Sequence, residues 1–286
     1  METIAIGGDL PVGRLGFGAM RLTGRPAWLD RRDAIGIARR AAELGVGFID
    51  TADSYDLGEN ERLLAEALHP YPAGVVIATK GGQVNLGHDW IPLGRPEYLR
   101  QQAELSLRRL RLDRIDLYQL HRIDPAVPLA DQIGALRQLQ DEGKVRHVGL
   151  SEVGVEQLGE AEKITPIVSV QNRYNLTDRR SGEVLAYCER RGIAFVPWLP
   201  VAPAARGGGV APAARGGGAG DVAGEVAGRL RASRAQVALA WLLRHSPVMV
   251  PIPGTSSRAH LEENVAAAYL DLTDDDLARL DAMGVR

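Results

Sequence analysis

Phe48-Ile49-Asp50-Thr51-Ala52-Asp53-Ser54-Tyr55 is the stretch on which the fold turns. A short apolar run, Val46 to Ile49, ends in a carboxylate. A turn of small polar residues then delivers a tyrosine. A buried strand that ends in a charge bears a desolvation cost unless the charge has a partner or a task. Two later apolar runs end the same way, in Lys80 and in His121.

Working outward, apolar runs alternate with helical periodicity along the whole chain. Thr3 to Ile6 and Pro11 to Leu15 flank Gly7-Gly8-Asp9 and read as an N-terminal β-hairpin. Leu15 to Gly18 is a first strand, and Asp30 to Leu44 a first helix stopped by Gly45. The remaining strands are expected at 47–50, 75–80, 115–121, 145–151, 167–171, 193–198 and 248–252. Helices are expected at 59–68, 95–110, 129–142, 155–164, 182–191, 221–232, 234–244 and 258–268. Thr273 opens an extra C-terminal helix, with Asp274 to Asp276 favourable at its N-terminal dipole.

Short continuous apolar strands suit parallel strands buried on both faces. Eight such units in 286 residues predict an α/β fold of the (β/α)8 TIM barrel type, a single domain over residues 1–286. The competing architecture is a doubly wound open sheet. It would carry a glycine-rich phosphate turn before an early helix. Leu15-Gly16-Phe17-Gly18-Ala19-Met20 lacks the third glycine and any helix directly after it.

Composition narrows the function. With 34 Lys and Arg against 36 Asp and Glu, the net charge of -2 gives no electrostatic reason to expect nucleic acid or an acidic membrane as partner. A single cysteine, Cys188, excludes an intrachain disulfide and sits in a helical run as a small hydrophobe. No apolar stretch approaches the ~18 residues of a membrane span, and no signal peptide is evident, so a cytoplasmic location is expected. Val201 to Gly209 is repeated residue for residue at Val210 to Gly218. The 201–220 segment reads as a flexible Gly/Ala-rich insertion, or as a flap with Arg206 or Arg215 touching phosphate.

In a barrel, residues just past the C-terminal ends of strands converge on one mouth. Asp50, Lys80 and His121 end strands two, three and four, and Tyr55 lies five residues past the second. A tyrosine is a poor acid at neutral pH, and a nearby ammonium lowers its pKa. A carboxylate holds that ammonium. A histidine across the cleft donates to a carbonyl oxygen or helps pass a proton. Together they would polarise a C=O group and protonate it.

Gly16-Phe17-Gly18, Phe48 to Ala52 with Tyr55, Ala78-Thr79-Lys80-Gly81-Gly82 and Leu112 to His121 carry a wider pattern. It continues in Val148 to Ser151, Val170 to Asn175, Ile252 to Ser257 and His260 to Asn264. On these motifs the chain resembles the aldo-keto reductase family over almost its whole length. The resemblance implies reduction of an aldehyde or ketone by a nicotinamide cofactor, NADPH first and NADH as the alternative. It places the catalytic tetrad on Asp50, Tyr55, Lys80 and His121, with Tyr55 as proton donor.

Cofactor contacts are implied at Gly18 and Met20, and at Ser151, Glu152 and Gln171 around the nicotinamide carboxamide. Trp198 is implied to stack on the ring. Gly254, Thr255 and Ser256 surround the adenosine phosphate, with His260, Glu263 and Asn264 nearby. Glu152 stands where the family often has Asn. Gly254 and His260 stand where NADPH-preferring members often have Lys and Arg. Trp28, His88 and Trp90 are expected to line the substrate pocket, with no metal and with a small carbonyl compound as the partner. A monomer or weak homo-oligomer is expected. Two rival readings are a cofactor-binding regulatory subunit on the same barrel and a metal-dependent hydrolase. The latter wants converging ligands, and only His121 of six histidines clearly ends a strand.

Overall fold

Seven parallel strands, each a short apolar run, curl into one sheet in the computed structural model, which describes residues 1–24, 29–87, 89–201 and 221–283. Strands β1 (Thr3–Ile6) and β2 (Leu10–Gly13) form the expected antiparallel hairpin. Then come β3 (Phe17–Gly18), α1 (Arg31–Glu43), β4 (Phe48–Asp50), α2 (Glu59–Leu68) and β5 (Val76–Gly81). A second hairpin, β6 (Gln83–Asn85) with β7 (Trp90–Pro92), precedes α3 (Pro96–Leu110). The alternation resumes with β8 (Ile115–Leu120), α4 (Leu129–Asp141), β9 (Val145–Ser151), α5 (Val155–Glu162), β10 (Ile167–Gln171), α6 (Gly182–Arg191) and β11 (Ala194–Phe195). Helices α7 (Val222–Leu230), α8 (Arg234–His245), α9 (Arg258–Ala266) and α10 (Asp274–Ala282) complete the chain.

Sheet order is β11-β10-β9-β8-β5-β4-β3. Its two edges are joined by the segment 248–253. Phe195 N–H donates to Val248 O and Val250 N–H to Phe195 O, both at 2.8 Å, while Gly16 N–H donates to Pro251 O at 2.9 Å. The ring therefore closes where an eighth strand is expected, but without a regular strand. Pro247, Pro251 and Pro253 have no N–H to give a ladder. The seventh strand is likewise shorter than expected, at two residues.

Two apolar layers hold the barrel. Ile6, Leu10 and Val12 of the first hairpin pack with inward-facing Phe48, Val76, Leu117 and Val250, so the hairpin plugs the barrel floor. The larger layer lies between strands and helices and contains Ile49, Ile77, Tyr118, Val148, Phe195 and Trp241. Cys188 is buried there, and burial pushes its thiol up to about 12, as befits a packing residue. Helix ends follow local chemistry. Asp30 accepts from Asp33 N–H at the start of α1, and Thr273 caps α10.

The β6–β7 hairpin was not expected from the sequence. It carries Trp90 back towards the barrel mouth. Residues 202–220, and with them nearly all of the duplicated segment, lie outside the described residues, as do Trp28 and His88.

Candidate active site

Strand register explains why the four tetrad side chains meet. Asp50 is level with Ala78, and Lys80, two residues further along β5, faces the same way. Lys80 is level with Gln119 of β8, and His121 stands two residues beyond. Each strand end climbs one pleat repeat above the last, and all three side chains point into the mouth. Further round, Ser151 is level with Gln171. Gly149 sits level with Gln119, and a Cβ there would meet Ser169 Oγ at 2.2 Å, so glycine makes room for the inward side chains.

Lys80 is fully buried and donates three hydrogen bonds from Nζ. They go to Asp50 Oδ2 at 2.7 Å, Thr51 O at 2.9 Å and Tyr55 Oη at 3.2 Å. The other Asp50 oxygen accepts from Gln171 Nε2 at 2.8 Å. Burial works against the Lys80 charge, but Asp50 and then Tyr55 more than offset it, and its pKa stands above the ordinary value. The Tyr55 phenol also stands above its ordinary value. Burial dominates, and Lys80, which pulls the other way as the sequence reading expected, does not reverse it. The expected net lowering is thus corrected: Tyr55 keeps its proton at neutral pH.

His121 is held well below the usual imidazole range by burial, then by Lys80 and Arg122. It is a neutral ring. Its Nδ1 lies 3.2 Å from Ser54 Oγ. Tyr55, His121 and Trp90 form an edge-to-face cluster, with ring centroids 5.8 Å apart for Tyr55–His121 and 6.3 Å for each to Trp90. The loop that launches Tyr55 is tight: Asp56 and Leu57 adopt left-handed backbone, at φ 50° and 54°.

A cavity of about 470 Å³ opens over this cluster. Asp50, Tyr55, His121 and Trp90 line it, together with Gly18, Met20, Ser151, Gln171, Trp198 and Gly254. Gly18 and Gly254 meet backbone to backbone at the closing seam, where a Cβ on either would come within 2.9 Å of a carbonyl oxygen. Glu152 does not line the cavity. Its Oε1 accepts from Trp198 Nε1 at 2.6 Å and from Arg173 N–H at 2.7 Å, so it braces the indole. Thr255, Ser256, His260, Glu263 and Asn264 lie on the loop and helix beyond Gly254, outside the cavity wall. There Thr255 Oγ1 accepts from Ser257 N–H, and Ser257 caps α9.

Three polar residues of the site were missed in the sequence. Ser54 touches His121, Arg122 donates to Ser151 Oγ at 2.9 Å, and Gln83 lines the cavity with an Oε1 that has no hydrogen-bond partner. Ser54 and Arg122 each adjoin a tetrad residue in sequence, which is the only local signal they give. Among the described residues, no group of three or more His, Cys, Asp or Glu side chains could hold a metal ion.

A sequence model described as the aldo/keto reductase family matches residues 14–284. The chain belongs to the aldo/keto reductase family. An oxidoreductase of Schizosaccharomyces pombe is 49% identical over 97% of this chain and 88% of its own length. Pyridoxine 4-dehydrogenase of Escherichia coli is 39% identical, covering 96% of each chain. Among solved structures, an aldo-keto reductase from Klebsiella pneumoniae in complex with NADPH superimposes with a TM-score of 0.80 at 27% identity, covering 99% of this chain and 94% of that one. Membership in this family makes the cavity over Tyr55 the mouth of an aldo/keto reductase barrel. Among the described residues, no helix is long and apolar enough to cross a membrane.

Proposed function

We propose that this aldo/keto reductase reduces an aldehyde or ketone to the alcohol, with Tyr55 as proton donor and NADPH, or NADH as the alternative, as the electron source. The observation that carries the reading is the buried chain Asp50–Lys80–Tyr55, hydrogen-bonded at 2.7 and 3.2 Å beneath an open cavity.

The residues present fit the cofactor. Ser151 and Gln171 offer a hydroxyl and an amide to a carboxamide, Trp198 a ring face, and the Gly18–Gly254 seam a surface without side chains. The start of α9, with Thr255 and Ser256 before it, suits a phosphate. When bound, the reduced nicotinamide supplies a hydride to the carbonyl carbon.

The chain's own side chains do the rest. Tyr55 holds its proton at neutral pH and gives it to the carbonyl oxygen as the C=O π bond is lost. Lys80 stabilises the phenolate left behind, and Asp50 keeps the ammonium charged and in place. His121, neutral, orients the oxygen by a hydrogen bond. Trp90 and Met20 give the outer cavity an apolar surface for the body of the substrate.

The test follows consumption of NADPH and NADH with aliphatic and aromatic aldehydes. Pyridoxal belongs in the panel, because the Escherichia coli relative is named for dehydrogenating pyridoxine at its 4-position. Turnover with at least one aldehyde is expected. Tight binding of either cofactor with no turnover of any carbonyl would instead favour a regulatory cofactor-binding role.

A further inference from the structure

One side chain behind the cluster belongs to neither the tetrad nor the cavity wall. Ser54 is 4% exposed and immediately precedes Tyr55. Among the described residues, its contact at 3.2 Å is the hydrogen bond made by the His121 ring, through Nδ1. A neutral imidazole carries one N–H, so a partner on one nitrogen decides what the other offers. The cations Lys80 and Arg122 face this ring, and Tyr55 stands edge-on to it.

We propose that Ser54 is a positioning residue: its hydroxyl donates to His121 Nδ1 and thereby fixes the ring proton on Nε2, so that the histidine meets a carbonyl oxygen as a donor. This rests on the carbonyl-reductase reading, but the tautomer itself exists without substrate or cofactor.

A hydroxyl can donate or accept, so what else competes for its proton matters. The competitor is Asp53, whose carboxyl faces both the hydroxyl and the N–H of Ser54. Its surroundings are Glu61 from α2, Tyr98 and Arg109 from α3, and Tyr118 from β8. Burial first, then Glu61, push that carboxyl up to about 8, against the opposing pull of Arg109. At neutral pH it is mostly protonated, and no anion draws the serine proton away from Nδ1. As pH rises through about 8, the ionised carboxylate accepts the hydrogen bond of the Ser54 hydroxyl, which then no longer donates to Nδ1. Nδ1 then becomes the donor to Ser54, and Nε2 is left as an acceptor.

The experiment is two-bond 15N–1H spectroscopy of the 15N-histidine-labelled full chain near neutral pH, with His121→Asn assigning the signal. The wild type is expected to show the proton on Nε2. Ser54→Ala is expected to show both tautomers and to lose about 3- to 10-fold in kcat at unchanged KM for the cofactor, the usual effect of one neutral hydrogen bond. Ser54→Thr, which keeps the hydroxyl, restores the wild-type spectrum and rate. A wild-type proton on Nδ1, or an unchanged Nε2 tautomer in Ser54→Ala, overturns the proposal. If Ser54→Ala fails to fold, the wild-type spectrum alone decides. A protein without reductase activity but with the Nε2 tautomer would sink the functional reading and leave the geometry of Ser54 standing.

Discussion

Asp53 and Asp50 are three residues apart and both buried, but their partners differ. Asp50 has Lys80 on one oxygen and Gln171 on the other. Asp53 has a buried Oδ1 with no hydrogen-bond partner and lies near the Glu61 carboxylate. Its folded pKa of about 8 exceeds the unfolded value near ~4. Between those values the folded chain keeps a proton that the unfolded chain has released, so stability falls as pH rises through the window and levels off above it. Asp53→Asn removes this dependence. We predict that it raises Tm more at about pH 9 than at about pH 5, read by thermal melting. An equal shift at both pH values would show that the carboxyl is not held protonated by the fold. Tyr55 stands above its ordinary value and His121 well below, so neither titrates in the neutral range. An alkaline limb near pH 8 in the rate is therefore assigned to Asp53 acting through Ser54, and Asp53→Asn should abolish it.

At the scale of elements, α2 and α3 are clamped to the back of β5 by a buried polar cluster. Glu61 accepts from Thr79 Oγ1 at 2.6 Å and from Arg109 Nη1 at 2.9 Å, and is fully buried. Gly58, at φ 86°, lets the chain pass the Arg109 side chain, where a Cβ would lie 2.6 Å from it. Arg109→Met leaves Glu61 buried without its cation. The expected loss is about 3–5 kcal/mol in urea unfolding, far above a surface pair. A loss within the range of ~0–1 kcal/mol seen for exposed pairs would place this cluster among ordinary surface contacts. The sequence reveals α2 to the residue, because its apolar period and its end both come from local signals. It does not reveal the β6–β7 hairpin, whose strands are three residues each and too short to show a period. It anticipates the closing segment, but not the prolines' effect on its ladder.

For the whole molecule, the barrel and the tetrad were legible for one reason. Buried parallel strands are apolar runs, and a charge at their ends stands out. Register then places Asp50, Lys80 and His121 on one face without further information. The rest of the site was not legible, because it depends on distance and burial across elements far apart in the chain. Ser54 acquires a role only from a ring 67 residues away. Glu152 turns out to brace Trp198 through a contact that spans 46 residues. The net rise in the Tyr55 pKa follows from complete burial, which outweighs the adjacent ammonium that sequence reasoning put first. The account as a whole stands on Tyr55 giving up a proton to a carbonyl oxygen. The most direct measurement is single-turnover oxidation of bound NADPH by an aldehyde, in wild type and in Tyr55→Phe. The account predicts a fall of about 100-fold or more in the rate for Tyr55→Phe, with the affinity for NADPH unchanged. Full activity in Tyr55→Phe would contradict it.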